Sequence, residues 1–111
     1  MELTLIFDIL KDADGTPARG SLSISNPAFI AADQTAVAAG TLKVSISELP
    51  GHQGEVNASL APTEGSVKND PAGGEARYTV TYSLKNGARY PETWAVPRTG
   101  GPKTIAQVRG F

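Results

Sequence analysis

Asp8, Asp12 and Asp14 crowd the stretch "FDILKDADG", and carboxylate oxygens at such spacing are the ligands Ca²⁺ takes. The twelve-residue helix–loop–helix pattern and its terminal glutamate are missing, so these residues favour an Asx-type turn instead. His52, in "PGHQG", could ligate a metal or act as a base, but it is the chain's single histidine and is flanked by glycines. A surface-loop residue is the reading its context favours. Glu92 offers sharper chemistry, because it falls among aromatic residues. One reading makes it a ligand-facing or catalytic carboxylate beside Trp94, its pKa raised by burial. The other, which carries more weight, makes it an edge residue or the ion-pair partner of Arg98 or Arg109, with Pro91 marking an edge or bulge. Asn57-Ala58-Ser59 fits a glycosylation sequon, expected to be unmodified without a secretory leader.

No nucleophile can be paired with a base, and neither "PAGGEA" nor "RTGGPK" has the spacing of a glycine-rich phosphate cradle between strand and helix. The expectation is a protein without catalysis, cofactor or metal. The chain has 111 residues, which is material for one domain spanning 1–111 with one modest core. Its net charge of −1, with acids and bases scattered, supplies no basic stripe for a phosphate backbone, so nucleic acid is not an expected partner. No stretch approaches the roughly 18 consecutive apolar residues of a membrane span, and none is expected. The opening "MELTLIFDILKDADG" has no basic segment or small-residue cleavage site, which predicts a mature start. Zero cysteines exclude disulfides and thiolate chemistry but fit any redox compartment.

The elements that must position these residues are strands, because the apolar period is two nearly everywhere. "LTLIFDIL" puts Leu3, Leu5, Phe7 and Ile9 on one face, with Ile6 and Leu10 on the other, as in a strand covered on both sides. "SLSIS" turns Leu22 and Ile24 inward. "NPAFIAADQTAVAAG" breaks the alternation, and predicts a long loop or crossover with Phe29 and Ile30 tucked onto the core. "TLKVSISEL" reads as the cleanest half-buried strand, with Leu42, Val44 and Ile46 inside, and "EVNASLAP" buries Val56, Ala58 and Leu60. "ARYTVTYSL" and "RYPETWAVP" form a hairpin. "KTIAQVRGF" supplies a last strand whose Ile105 and Val108, three apart, predict a bulge or an early end. The sum is an all-β fold, a seven-stranded antiparallel sandwich of Ig-like or prealbumin-like type.

"YSLKNGARYPETWAVP" poses a register problem. A two-residue Asn-Gly turn would face Lys85 with Ala88 and scatter the aromatics over both sides of the sheet. A three-residue loop of Lys85, Asn86 and Gly87, with Gly87 left-handed, instead pairs Leu84 with Ala88, Tyr82 with Tyr90 and Tyr78 with Trp94. A one-residue slip moves every side chain to the wrong face, so ring burial selects the longer loop. Glu92 then lies opposite Val80 on the aromatic face, where a lone carboxylate costs several kcal/mol unless paired.

Two resemblances carry functional expectations. "LKDADGTPARGSLSIS" looks like the start of carboxypeptidase-regulatory-like and prealbumin-type sandwiches, in which a strand, an Asp-Gly-x-Pro turn and a second strand recur. Across the chain, "AVAAGTLKVSIS", "SLAPTEGS", "YTVTYSLKNG", "ETWAVP" and "TIAQVR" are similar in order to small β-sandwich modules of tailed-phage structural proteins, of fibre, collar or capsid-decoration type. The second resemblance implies a virion part made in the host cytoplasm, partnered by other virion proteins and by copies of itself in a homo-oligomeric assembly. Unpaired strand edges fit that role. The expected attachment surface comprises Tyr90, Glu92, Arg98, Ile105, Val108, Arg109 and Phe111, an aromatic and arginine mixture of the kind enriched at interfaces. The competing expectation is an Ig-like binding module reading carbohydrate or peptide on a host surface. That function needs a solvent-facing aromatic platform.

Overall fold

The computed structural model describes residues 3–68, 74–85, 87, 89–98 and 102–110, with only the backbone of Tyr90 and Gly110. The regular structure among the described residues is nearly all strand: β1 (Thr4–Ile9), β2 (Gly20–Asn26), β3 (Phe29–Ile30), β4 (Ala36–Val37), β5 (Gly40–Ser45), β6 (Glu55–Leu60), β7 (Val67–Lys68), β8 (Tyr78–Leu84), β9 (Arg89–Trp94) and β10 (Arg109–Gly110), with one four-residue helix, α1 (Ile105–Val108), just before the last. They form a five-stranded sheet in the order β10-β9-β8-β2-β5, a β1-β6 pair, and a small β4-β3-β7 sheet. All strand pairs are antiparallel. The all-β, sandwich-like character agrees with the period-two pattern. The strand count departs from seven because β3, β4, β7 and β10 are two residues long, too short to announce themselves by alternation.

The core lies between the inner face of the five-stranded sheet and the β1-β6 pair. Leu22, Ile24, Tyr78, Val80, Tyr82 and Trp94 meet Ile6, Val56, Ala58 and Leu60. On β6 only one face is apolar, and Val56, Ala58 and Leu60 go inward as expected. That choice decides β1, which is apolar on both faces. Residues directly opposite in an antiparallel pair share a face, and Thr4 is opposite Leu60 while Ile6 is opposite Ala58. Thr4 and Ile6 are therefore fully buried, whereas on the other face, expected to be covered as well, Leu3 and Ile9 are exposed and Leu5 and Phe7 are half-buried. Thr4 tolerates burial because its hydroxyl donates to the Pro97 carbonyl at 2.5 Å.

The expected loop after β2 is a miniature ladder. Phe29 pairs with Val37 on β4 and with Lys68 on β7, and Asp33 closes the turn by accepting from the Thr35 amide at 3.0 Å. Phe29 is buried as expected, in a satellite cluster with Ala31, Ala61 and Ala76, its ring edge-on to Tyr78 at 6.5 Å. Strand β5 meets the expectation of a half-buried strand in part: Ile46 is 3% exposed and Val44 packs half-buried against the core, but Leu42 on the same face is 46% exposed.

Gly20 starts β2 where the chain leaves the first turn. Its φ of +137° is strained for other residues, and a Cβ there would meet the Ser83 carbonyl oxygen at 2.3 Å and the Leu84 Cα at 2.8 Å. Gly15 also has positive φ, but a Cβ there meets nothing within 4 Å. Gly20→Ala should therefore lose more than about 2 kcal/mol of stability and Gly15→Ala about 1–2 kcal/mol. Urea denaturation read by Trp94 fluorescence checks the order, and equal losses would show that the approach to β8 is not limiting.

Candidate functional site

The β8-β9 hairpin has the register that ring burial selects: Tyr82 opposite Tyr90, Val80 opposite Glu92 and Tyr78 opposite Trp94. Gly87 takes φ +93° and its amide bonds the Leu84 carbonyl at 3.0 Å; Asn86 and Ala88 lie outside the described residues. Tyr78, Tyr82 and Trp94 are at most 4% exposed. Glu92 follows them inward, its side chain only 12% exposed.

Three side chains of the chain itself meet this carboxylate. The Tyr82 hydroxyl donates to Oε1, as does Trp94 Nε1 at 2.9 Å. Arg109 brings Nε to 2.6 Å from Oε2 and Nη2 to 3.5 Å from Oε1. The Nε–H does not point along its short N···O line, so that contact is an ion pair without hydrogen-bond geometry. Burial, reinforced by the hydrogen bond to Glu92 and its negative charge, pushes the Tyr82 phenol far above its ordinary range. Burial opposes the Arg109 charge, but the Glu92 hydrogen bond and charge outweigh it and hold the guanidinium above its usual pKa. Tyr78, which donates to the Ala61 carbonyl at 2.8 Å, is pushed up to about 12 by burial.

Arg109 arrives through an element that strand reasoning missed. Residues 105–108 form a helical turn, because Thr104 and Gln107 make a capping box: the Gln107 amide donates to the Thr104 hydroxyl at 3.4 Å and the Thr104 amide to Gln107 Oε1 at 2.9 Å. Asp8 Oδ2 accepts the Ile105 amide at 3.1 Å. The three-residue spacing of Ile105 and Val108 is thus one helical face rather than a bulge, and both are 2% exposed in the core. Buried there, they offer no surface to a partner, which corrects their place in the expected attachment surface. Upstream, Lys103 bridges in parallel to Ile6; downstream, Arg109 pairs with Trp94. The segment thereby ties β1 to β9.

The remaining sequence candidates are dispersed. Asp14 Oδ1 accepts from the Thr16 hydroxyl at 2.7 Å and its amide at 3.0 Å, an Asx turn that holds the Asp14 carboxyl below its usual range. Among the described residues no three His, Asp or Glu side chains are grouped to hold a metal ion. His52 is exposed, with Nδ1 2.9 Å from Glu55 Oε2. Asn57 is exposed on the outer face of β6. Arg98 is exposed and its amide bonds Glu64 Oε1 at 2.9 Å. The Tyr90 side chain and Phe111 lie outside the described residues.

Sequence reasoning passed over Thr63 and Ser66. Thr63 Oγ1 accepts the Val96 amide at 2.9 Å, and Ser66 Oγ donates to the Thr63 carbonyl at 2.6 Å and accepts the Ala76 amide at 3.0 Å. They satisfy backbone groups beyond the ladder that joins Tyr78 to Trp94. The small groove beside them, about 190 Å³, is flanked by Glu64 and Glu75, each already accepting a backbone amide. A second groove of about 330 Å³ lies between the first turn and the loop after β5, lined by Asp12, Arg19, Glu48 and Gln53.

No model of a known protein family, no curated protein and no solved structure matches this chain. The geometry alone carries the functional reading. Both Glu92 oxygens face donors of the chain itself, so the cluster acts as a clamp between hairpin and C-terminal segment.

Glu92→Ala strands the Tyr82 and Trp94 donors and a partly buried guanidinium, and should cost about 2–4 kcal/mol in urea denaturation; Arg109→Met, which leaves the buried carboxylate without its counter-charge, should cost a comparable amount, and the double-mutant cycle should give a coupling of about 1–3 kcal/mol. A coupling near zero would mean that the ion pair is not a clamp. Raised folded-state phenol pKa values make folding favourable below the unfolded value of about 10, and that stability is lost as pH rises toward and past 12. An alkaline titration should show two of the three tyrosines ionising only together with unfolding, read by phenolate absorbance against Trp94 emission.

Proposed function

We propose that this chain is a non-enzymatic structural module of an assembled particle: a tailed-phage virion component of capsid-decoration, collar or tail-fibre type, folded as an Ig-like or prealbumin-like sandwich. The observation that supports this reading is where the apolar surface has gone. Phe29, Tyr78, Tyr82 and Trp94 and the one aromatic-flanked carboxylate are used inside the molecule, while the large apolar residues left exposed among those described are all aliphatic: Leu3, Ile9, Leu42, Leu49 and Val67. Ile9, Leu42 and Val67 lie on strands, Leu3 just before β1 and Leu49 in the loop after β5. Such residues suit contact with other proteins. A glycan-reading module would instead present flat rings beside polar groups, and Tyr78, Tyr82 and Trp94 are withdrawn from that use.

The sheet's outer face is also consistent with a building part. Row by row it presents Ser45, Ser21, Ser83 and Arg89; Lys43, Ser23, Thr81 and Pro91; and Thr41, Ser25, Thr79 and Thr93. This is a hydroxyl-rich surface with two cations and no carboxylate.

The test is the composition of particles. Mass spectrometry of purified virions from a lysate in which the chain is produced should find it at a copy number that matches a symmetry of the particle. Abundance in infected cells together with absence from particles overturns the reading.

A further inference from the structure

Strand β5 ends the five-stranded sheet with an open side, and the other end strand, β10, is only two residues long. The Ile46 amide bonds the Gly20 carbonyl, so along β5 the even-numbered backbone groups point to β2 and the odd-numbered ones point away. The first odd residue past β5, Ser47, donates its amide to the Glu55 carbonyl, which uses up the open side at that point. Thr41, Lys43 and Ser45 have no such backbone partner among the described residues. The usual protections are sparse. Gly40–Ser45 contains no proline, all its residues pair in register with β2, and its one charge, Lys43, is on the outer face. On the inner face Leu42 is 46% exposed.

We propose that β5 pairs antiparallel with β5 of a second copy, across a two-fold axis through Leu42, joining two five-stranded sheets into one. The inference deepens the assembly reading above and rests on it, naming a second copy as the partner. Hydrogen-bond parity leaves few registers, because odd residues must face odd residues. With the axis at Lys43 the two ammonium groups lie directly opposite, a repulsive arrangement. With the axis at Val44, Thr41 would face Ser47, whose amide is already given to Glu55. With the axis at Leu42, Thr41 and Lys43 of opposite copies exchange both backbone bonds. Each Lys43 then lies beside a Thr41 hydroxyl, and the two exposed leucines cover one another. Val44 faces Gly40, which leaves room for it. Charge and apolar complementarity therefore select a copy of the same strand.

The chain has no cysteine, so single substitutions read the register directly. In the proposed register the two Leu42 Cα atoms form a non-hydrogen-bonded pair about 4.5 Å apart, within the range a disulfide spans. Leu42→Cys should give a covalent dimer under mild oxidation at least tenfold faster than Lys43→Cys, on a non-reducing gel. Wild-type protein should show a concentration-dependent monomer–dimer equilibrium in sedimentation velocity. Thr41→Pro removes an amide that β2 does not use, so it should keep the thermal unfolding and Trp94 emission of the wild type while weakening association at least tenfold. A wild type that stays monomeric at millimolar concentration, or faster cross-linking of Lys43→Cys, overturns the pairing. A monomer found in virions would sink this interface but leave the assembly reading standing, and a dimer absent from particles would do the reverse.

Discussion

The side of the sheet to which the hairpin aromatics turn governs most of the remaining structure. Burying a ring removes roughly 150–250 Å² from water, several kcal/mol at about 25 cal/mol/Å², whereas a cross-strand pairing preference is about 0.2–1 kcal/mol. With Tyr78, Tyr82 and Trp94 all on β8 and β9, ring burial outweighs the turn's own preference and fixes the register. The same register carries Glu92 inward. Strict alternation leaves no choice, since shifting the carboxylate out would shift the rings with it.

An inward carboxylate costs several kcal/mol unless neutralised, and the fold answers from sequence-distant residues. Tyr82 and Trp94, the rings that forced the burial, supply two donors, and Arg109 supplies the charge. Bringing Arg109 there requires the C-terminal segment to bridge from β1 to β9, with Ile105 and Val108 anchoring it. A cost created in the hairpin thus draws in the segment that closes the sandwich.

With Phe29, Tyr78, Tyr82 and Trp94 buried and Glu92 ion-paired to Arg109, the large exposed apolar residues among those described are aliphatic. Aliphatic residues on the outer side of β1, the open side of β5 and a hydroxyl-rich sheet face are what remain. An open strand edge leaves backbone N–H and C=O groups unpaired, the groups through which one sheet can extend into another.

The hairpin register, the inward faces of β2 and β6, and the Asx turn at Asp14 were legible in the sequence, because each depends on local alternation or turn chemistry within a few residues. Glu92 was legible as an anomaly, and Arg109 as one of two arginines able to meet it. Three features were not. The face of β1 depends on its pairing with β6 some fifty residues away, since both of its own faces are apolar. Leu42 is exposed while Val44 and Ile46, on the same face of the strand, pack on the core, a difference that alternation cannot report. The turn at 105–108 was signalled by Thr104 and Gln107, yet so short a helix is stable only because the core receives Ile105 and Val108. Local pattern specifies which elements form and which residues conflict; only packing between distant strands decides which face is dry and which partner resolves the conflict, because burial is a property of the whole assembled surface.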